Sequence, residues 1–199
     1  MKDAAAPNTA QKLVVAAAAL LDAGGTSAVT LRAVGHAVGV SHNAPYKHFP
    51  DRAALLAAVA TADFTTLQAT FAENRSSATR SLTNLRRALD AFIAYGNEYP
   101  ARYQLLFSNP DIAAHGGDPA TAAFETFLEF AAIVAECQAA GDLPATPNLE
   151  LTGLIFATAH GLIDLEVGGR MKREKRLASP SESIKLLLSL LQRSAASRS

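Results

Sequence analysis

Cysteine is nearly absent from this sequence, with Cys137 the single example, and tryptophan is missing altogether. One thiol cannot build a disulfide framework or a cysteine-based zinc site within one chain, and the scarcity suits a reducing cytoplasm. Charge of one sign is not in excess either, because 18 Lys and Arg balance 18 Asp and Glu. Nucleic-acid binders are commonly basic overall, so the balance taken alone argues mildly against one. Strand signals are lacking: there is no sustained apolar–polar alternation and no Asn-Gly or Asp-Gly hairpin turn. Met1–Pro7 lacks the basic-then-apolar pattern of a secretory leader. The apolar run Leu13–Leu21 has no cleavage region after it and is too short to span a bilayer. A cytoplasmic protein is expected. No Gly-rich phosphate loop is present. Glu125 and Glu129 share a helix face, but no Glu-x-x-His completes a di-iron site, and no nucleophile sits in a recognisable setting. No enzyme, cofactor or metal is expected.

What is there is helical periodicity, carried by a chain of 199 residues that is 49% hydrophobic and so able to bury a real core. The pattern predicts an all-α fold of about nine helices. The first starts near Thr9, presents Leu13, Ala17 and Leu20 with Val14, Ala18 and Leu21 as one apolar face, and stops at Gly24-Gly25. The second is capped by Thr30 and ends at Gly39; the third is capped by Ser41 and runs to about Phe49. The fourth spans about 51–73, the fifth carries Leu82 to Tyr95, and the sixth carries Tyr103 to Phe107. Asn109–Asp118 reads as a loop, followed by a seventh helix over about 119–140 and an eighth over about 148–166. Gly168–Pro180 reads as a loop and Ser181–Arg193 as an amphipathic ninth helix.

The stretch from Thr30 to Arg52 points to a function. Two short helices meet at a tight turn, Gly39-Val40, and the second opens on a capping residue, which is a helix-turn-helix arrangement. Ser41, His42, Asn43, Tyr46, Lys47 and His48 offer hydroxyl, amide, imidazole and ammonium groups to base edges and phosphates. Ala44 and Phe49 are nearly its only core-type residues, so the segment makes a poor core helix. An ordinary polar surface helix is the competing reading of the spacing alone. Residues 1–52 carry Lys2, Lys12, Arg32, Lys47 and Arg52 against Asp3, Asp22 and Asp51, so this part is weakly positive despite the neutral whole.

Residues 9–59 resemble the DNA-binding domain of the tetracycline-repressor (TetR/AcrR) family. The resemblance rests on Ala16-Ala17, Leu20-Leu21 with Gly24-Gly25, Thr30-Leu31-Arg32, Gly39-Val40-Ser41, Tyr46-Lys47-His48-Phe49, and Arg52 with Leu55-Leu56. It implies a helix-turn-helix DNA-binding domain over 1–52 and a helical effector-binding and dimerisation domain over 53–199. It implies DNA contacts from Thr30, Arg32, Ser41, His42, Asn43, Tyr46, Lys47, His48 and Arg52, with Tyr46 and Lys47 on phosphates and bases and Thr30 and Arg32 on phosphates. Arg52 stands where lysine is common, and its fork is not equivalent to an ammonium. His36 departs from the usual acidic or polar residue and reads as exposed or structural. Further on, Tyr99-Pro100-Ala101-Arg102-Tyr103-Gln104-Leu105-Leu106-Phe107 is similar to the segment joining helices five and six in one branch. Ala159-His160-Gly161 is similar to that branch's Trp-His-Gly element, with alanine in place of tryptophan.

The family pattern implies a homodimer through helices eight and nine, a palindromic operator in double-stranded DNA, and release of that DNA by a small-molecule effector. In that pattern the effector binds among helices four to eight and moves helix four. The apolar run Leu151–Leu165 and the stripe Ile184, Leu187, Leu188 and Leu191 supply the dimer face. Candidate effector-pocket residues are Phe64, Phe92, Tyr103, Phe107, Phe124, Phe127 and His160, with plain core as the competing role for each aromatic side chain. His160 and Asp164 lie four apart and share a face, either lining a pocket or forming an ordinary buried polar contact. The basic run Arg170, Lys172, Arg173, Lys175 and Arg176 reads as a solvated loop. The alternative function is a helical ligand-binding or scaffold protein without DNA binding.

Overall fold

The computed structural model describes residues 8–76, 80–171 and 177–197, and among these every regular element is helical. The α-helices are α1 (Thr9–Ala28), α2 (Leu31–Ala37), α3 (Arg52–Ser76), α4 (Ser81–Glu98), α5 (Pro100–Ser108), α6 (Pro110–His115), α7 (Gly117–Ala139), α8 (Asn148–Val167) and α9 (Pro180–Ala196). The expected all-α architecture is found, with four departures. The sixth α-helix lies where a loop was predicted. Asn109 caps it through Oδ1, which accepts from the amides of Asp111 and Ile112, and Pro110 stands at its first turn. The predicted third helix is a chain of turns ending in a 3-10 turn at Pro45–Lys47, and Ser41 does not cap an α-helix. Pro45 lacks the amide that an α-helix would need there. The first helix resumes for a final turn beyond its break: Gly24 and Gly25 have non-helical backbones, Gly25 with φ 68°, and the element then runs on to Ala28. The last departure is on the ninth helix, where Ile184 and Leu188 are buried within the chain and the exposed leucines are Leu186 and Leu190. Lys172, Arg173, Lys175 and Arg176 lie outside the described residues.

Two compact units divide the chain. The first combines the residues up to Phe64 with Ala101–Ala123; the second combines Thr65–Pro100 with the residues from Phe124 onward. In the first, the Asn8 capping box starts α1, with Asn8 and Gln11 exchanging backbone and side-chain hydrogen bonds of 2.8 and 2.9 Å. Leu13, Ala17 and Leu21 of α1 are fully buried together with Val29, Val34 and Leu55. Each such leucine contributes roughly 1.5–3 kcal/mol relative to exposure. Phe107 meets Phe64 edge-on at 5.5 Å and Tyr103 at 5.1 Å, and Tyr103 is buried.

Arg102 adds charge to this packing. From α5 its fork reaches both oxygens of Asp22 on α1, and its Nη1 lies 3.4 Å from Asp63 on α3.

In the second unit, Leu85, Leu89 and Phe92 of α4, Phe130, Ile133 and Val134 of α7, Ile155, Ala159 and Ile163 of α8, and Ile184 of α9 make the core. Arg75, near the end of α3, bridges Glu129 and Glu136 of α7 at 2.8 and 2.7 Å. Cys137 is fully buried, and loss of hydration pushes its thiol up to about 12, so it stays protonated and behaves as a small apolar side chain. By length and composition α3 is apolar enough to cross a membrane, but half of that stretch is buried inside the protein, as in a core helix.

Candidate nucleic-acid interface and effector site

The turn segment after α2 is fixed from beneath. Pro45 and Phe49 are buried, whereas Ser41, His42, Asn43, Tyr46, Lys47 and His48 are all exposed, Tyr46 by 54%. The backbone closes on itself through Ala44 N to Ser41 O at 2.9 Å, Lys47 N to Ala44 O at 3.2 Å and Phe49 N to Pro45 O at 2.9 Å. Against this segment sits Gly35 of α2. A Cβ there would lie 2.9 Å from Pro45 Cγ, so only glycine permits the two pieces to approach. This contact was not singled out in the sequence, although a glycine inside a short helix is itself a signal of close approach. Gly39, with φ 72°, makes the turn between them.

Thr30 caps α2, its hydroxyl accepting from the Ala33 amide at 3.1 Å. Arg32, two residues on, is exposed and borders, with His42 and Tyr46, one open depression. His36 is exposed, as read from the sequence. Arg52, like Thr30, is already engaged. Its Nε donates to Val29 O at 2.8 Å and its Nη2 donates to Thr26 O, so the guanidinium ties the start of α3 to the end of α1. All nine predicted DNA-contact residues are exposed, and three of them, Arg32, His42 and Tyr46, border one depression.

The predicted effector residues do not gather in one place. Phe64, Tyr103 and Phe107 cluster in the first unit. Phe124 is 62% exposed and joins neither aromatic cluster. Phe92, Phe127 and His160 meet in the second unit, around a residue that the sequence reading passed over. Phe156 stacks on Phe92 at 5.4 Å and meets Phe127 at 5.8 Å, Phe130 at 5.5 Å and His160 at 4.4 Å. It lay hidden in a run apolar enough to mask any periodicity. His160 also meets Phe92 edge-on at 5.0 Å, and burial among these rings lowers its pKa to about 4, partly offset by the charge of the exposed Asp164. The imidazole is neutral at pH 7. One turn before Phe156, the Thr152 hydroxyl is fully buried without a hydrogen-bond partner. Among the described residues, no group of three or more His, Cys, Asp or Glu could hold a metal ion.

Residues 13–59 match the bacterial regulatory proteins of the tetR family, and residues 85–191 match the tetracycline-repressor-like C-terminal domain. The chain belongs to the tetracycline-repressor family. It is a DNA-binding transcriptional regulator, and members of the family form dimers. No curated protein matches the sequence. Among solved structures, this TetR-family chain resembles a protein of unknown function from Rhodococcus sp. RHA1, with 25% identity, 98% of each chain covered and a TM-score of 0.81. It also resembles a TetR-family regulator from Rhodococcus sp., with 19% identity, 93% of this chain and 100% of the other covered, and a TM-score of 0.72. A third is a tetR-family regulator from Shewanella sp. PV-4, with 15% identity, coverage of 92% and 96%, and a TM-score of 0.65. The last two likenesses concern the fold alone.

Proposed function

We propose that this TetR-family regulator is a ligand-responsive repressor of the cytoplasm, dimeric through α8 and α9, that holds a near-palindromic operator and releases it when a small molecule binds. The observation that carries the DNA half is the exposed polar face built on buried Pro45 and Phe49, with Gly35 setting its position. Thr30, Arg32, Tyr46, Lys47 and His48 hold the backbone; Ser41, His42 and Asn43 read base edges. Arg52 keeps Nη1 for a phosphate while its other nitrogens hold α1. Residues 1–52 act as the reading head and 53–199 as the effector-binding and dimerisation part. One head makes few base contacts, so useful affinity needs two heads on a two-fold axis.

The dimer face is supported by exposed leucines: Leu149, Leu154 and Leu165 on α8, Leu186 and Leu190 on α9. Apolar residues this dense on two neighbouring helices mark an interaction surface. The effector reading rests on the Phe92–Phe127–Phe156–His160 cluster. A neutral imidazole and the unpartnered Thr152 hydroxyl supply polar handles in an aromatic setting, as small-molecule sites require. Binding there biases α3 and, through it, the spacing of the heads. Selection of duplexes from a random pool, followed by gel shift, tests the reading. A selected near-palindrome bound by a dimer supports it; failure to enrich any sequence, with the dimer intact, refutes the operator.

A further inference from the structure

A hollow of about 230 Å³ lies on the seam between α4 and α9 in the second unit, lined by Leu82, Thr83, Arg86, Lys185, Leu188 and Ser189 together with Gln192. Every polar side chain in that lining can donate a hydrogen bond, and none is a carboxylate. Arg86 and Lys185, both exposed, face the same small space from different helices. Neither makes an ion pair among the described residues, in a chain with as many acidic as basic residues to draw on. Glu182 is the carboxylate that feels Lys185, but its Oε2 is held by the Ser179 cap and it makes no ion pair with Lys185. Two cations facing one hollow repel each other, and an anion between them would be attracted to both. The floor is apolar: Leu188 is buried and Leu82 is half-buried.

We propose that this hollow binds a small organic anion, with its negative group between Arg86 and Lys185 and a short apolar body against Leu82 and Leu188. The hydroxyls of Thr83 and Ser189 and the Gln192 amide complete the hydrogen bonds of the anionic group. The volume is below the range of drug-sized pockets, which restricts the occupant to about ten non-hydrogen atoms. This site is separate from the Phe156 cluster and does not depend on an effector binding there. The exposed leucines of α9, Leu186 and Leu190, are not among its lining residues, so dimerisation through them does not require the hollow to close.

Benzoate, its neutral isostere benzamide and inorganic phosphate are suitable probes, titrated into the full-length dimer and followed by backbone-amide NMR shifts at residues 82–86 and 185–192. Benzoate is expected to bind saturably, at least about tenfold more tightly than benzamide, and to weaken at least about tenfold in the Arg86→Gln/Lys185→Gln double variant. Both residues are exposed, so the variant retains its fold, which circular dichroism checks. A second variant, Ser189→Phe, fills the hollow without removing charge and is expected to abolish the shifts. Phosphate binding as tight as benzoate overturns the apolar half of the proposal. Equal binding of benzoate and benzamide, unchanged binding in the double variant, or displacement of benzoate by random-sequence duplex DNA overturns it entirely.

Discussion

Arg102 on α5 and Asp22 on α1, 80 residues apart in sequence, form a two-pronged ion pair. Nε lies 2.9 Å from Oδ1 and Nη2 lies 2.5 Å from Oδ2. Both side chains are largely shielded, at 20% and 30% exposure. A forked pair of this kind is stronger than a surface contact, and lysine cannot reproduce it. Arg102→Lys is expected to destabilise by about 1–2 kcal/mol, and Arg102→Ala by about 2–3 kcal/mol because Asp63 also loses a partner. A double-mutant cycle with Asp22→Asn in urea is expected to show coupling of about 1 kcal/mol or more. Additive effects would make the pair energetically idle.

Gly35→Ala is expected to leave the helix content unchanged and to weaken operator binding at least about tenfold. The added Cβ meets Pro45 at 2.9 Å, and overpacking of this size costs about 1–3 kcal/mol or displaces the turn that carries the DNA-facing residues. Circular dichroism beside a gel shift separates loss of fold from displacement of the turn. Wild-type affinity in a folded variant would show that Pro45 yields freely.

Lys47 and Asn43 are expected to behave differently. Lys47→Ala should weaken all duplexes alike and reduce the slope of log affinity against log salt by about one unit. Asn43 is the only amide in the segment and can pair bidentately with adenine, so Asn43→Ala should relax one operator position by ~1–3 kcal/mol. Titrations at several salt concentrations with single-base operator variants decide both. A common effect of the two changes would mean that Asn43 reads no base.

His160 gives a pH signature. Its folded pKa, about 4, lies below the ordinary value of 6.5. The neutral form is therefore favoured by folding, and its contribution is complete above pH 6.5 and fades as pH falls toward 4. Thermal midpoints across this window are expected to drop more steeply in the wild type than in His160→Gln. Parallel curves would remove the histidine from the account.

Leu154→Glu combined with Leu190→Glu is expected to convert the dimer to monomers in sedimentation at micromolar concentration. Interfaces of the proposed kind bury ~2,000 Å² or more, and two central charges are not tolerated there. An unchanged dimer would place the interface elsewhere.

The helices and the DNA-facing residues were legible because both leave local marks. Thr30, Gly39 and the polar run from Ser41 to His48 each act within a turn or two of their own position. The α6 helix also left its mark in Asn109-Pro110-Asp111, a strong start signal, but the Gly and Pro content of 109–118 suggested a loop. The third element reads wrongly as a helix in the sequence, because the effect of Pro45 depends on its packing against Gly35 as well as on its missing amide. The centre of the aromatic cluster could not be read. Phe156 sits in a helix apolar on every side, where periodicity carries no information, and the cluster around it joins three helices, α4, α7 and α8. For the same reason Phe64 and Phe92 looked alike in sequence yet belong to different clusters.

Arg52 serves as a cap supplied from outside the helix it caps. Thr26 O, which already accepts from the Val29 amide, and Val29 O just beyond α1 both accept from Arg52, 26 and 23 positions later. During synthesis the chain emerges from its N-terminus, so Val29 O waits for its Arg52 donor until the first turn of α3 has left the ribosome. A chain that ends before residue 52 therefore lacks the tie between the end of its first helix and the start of α3.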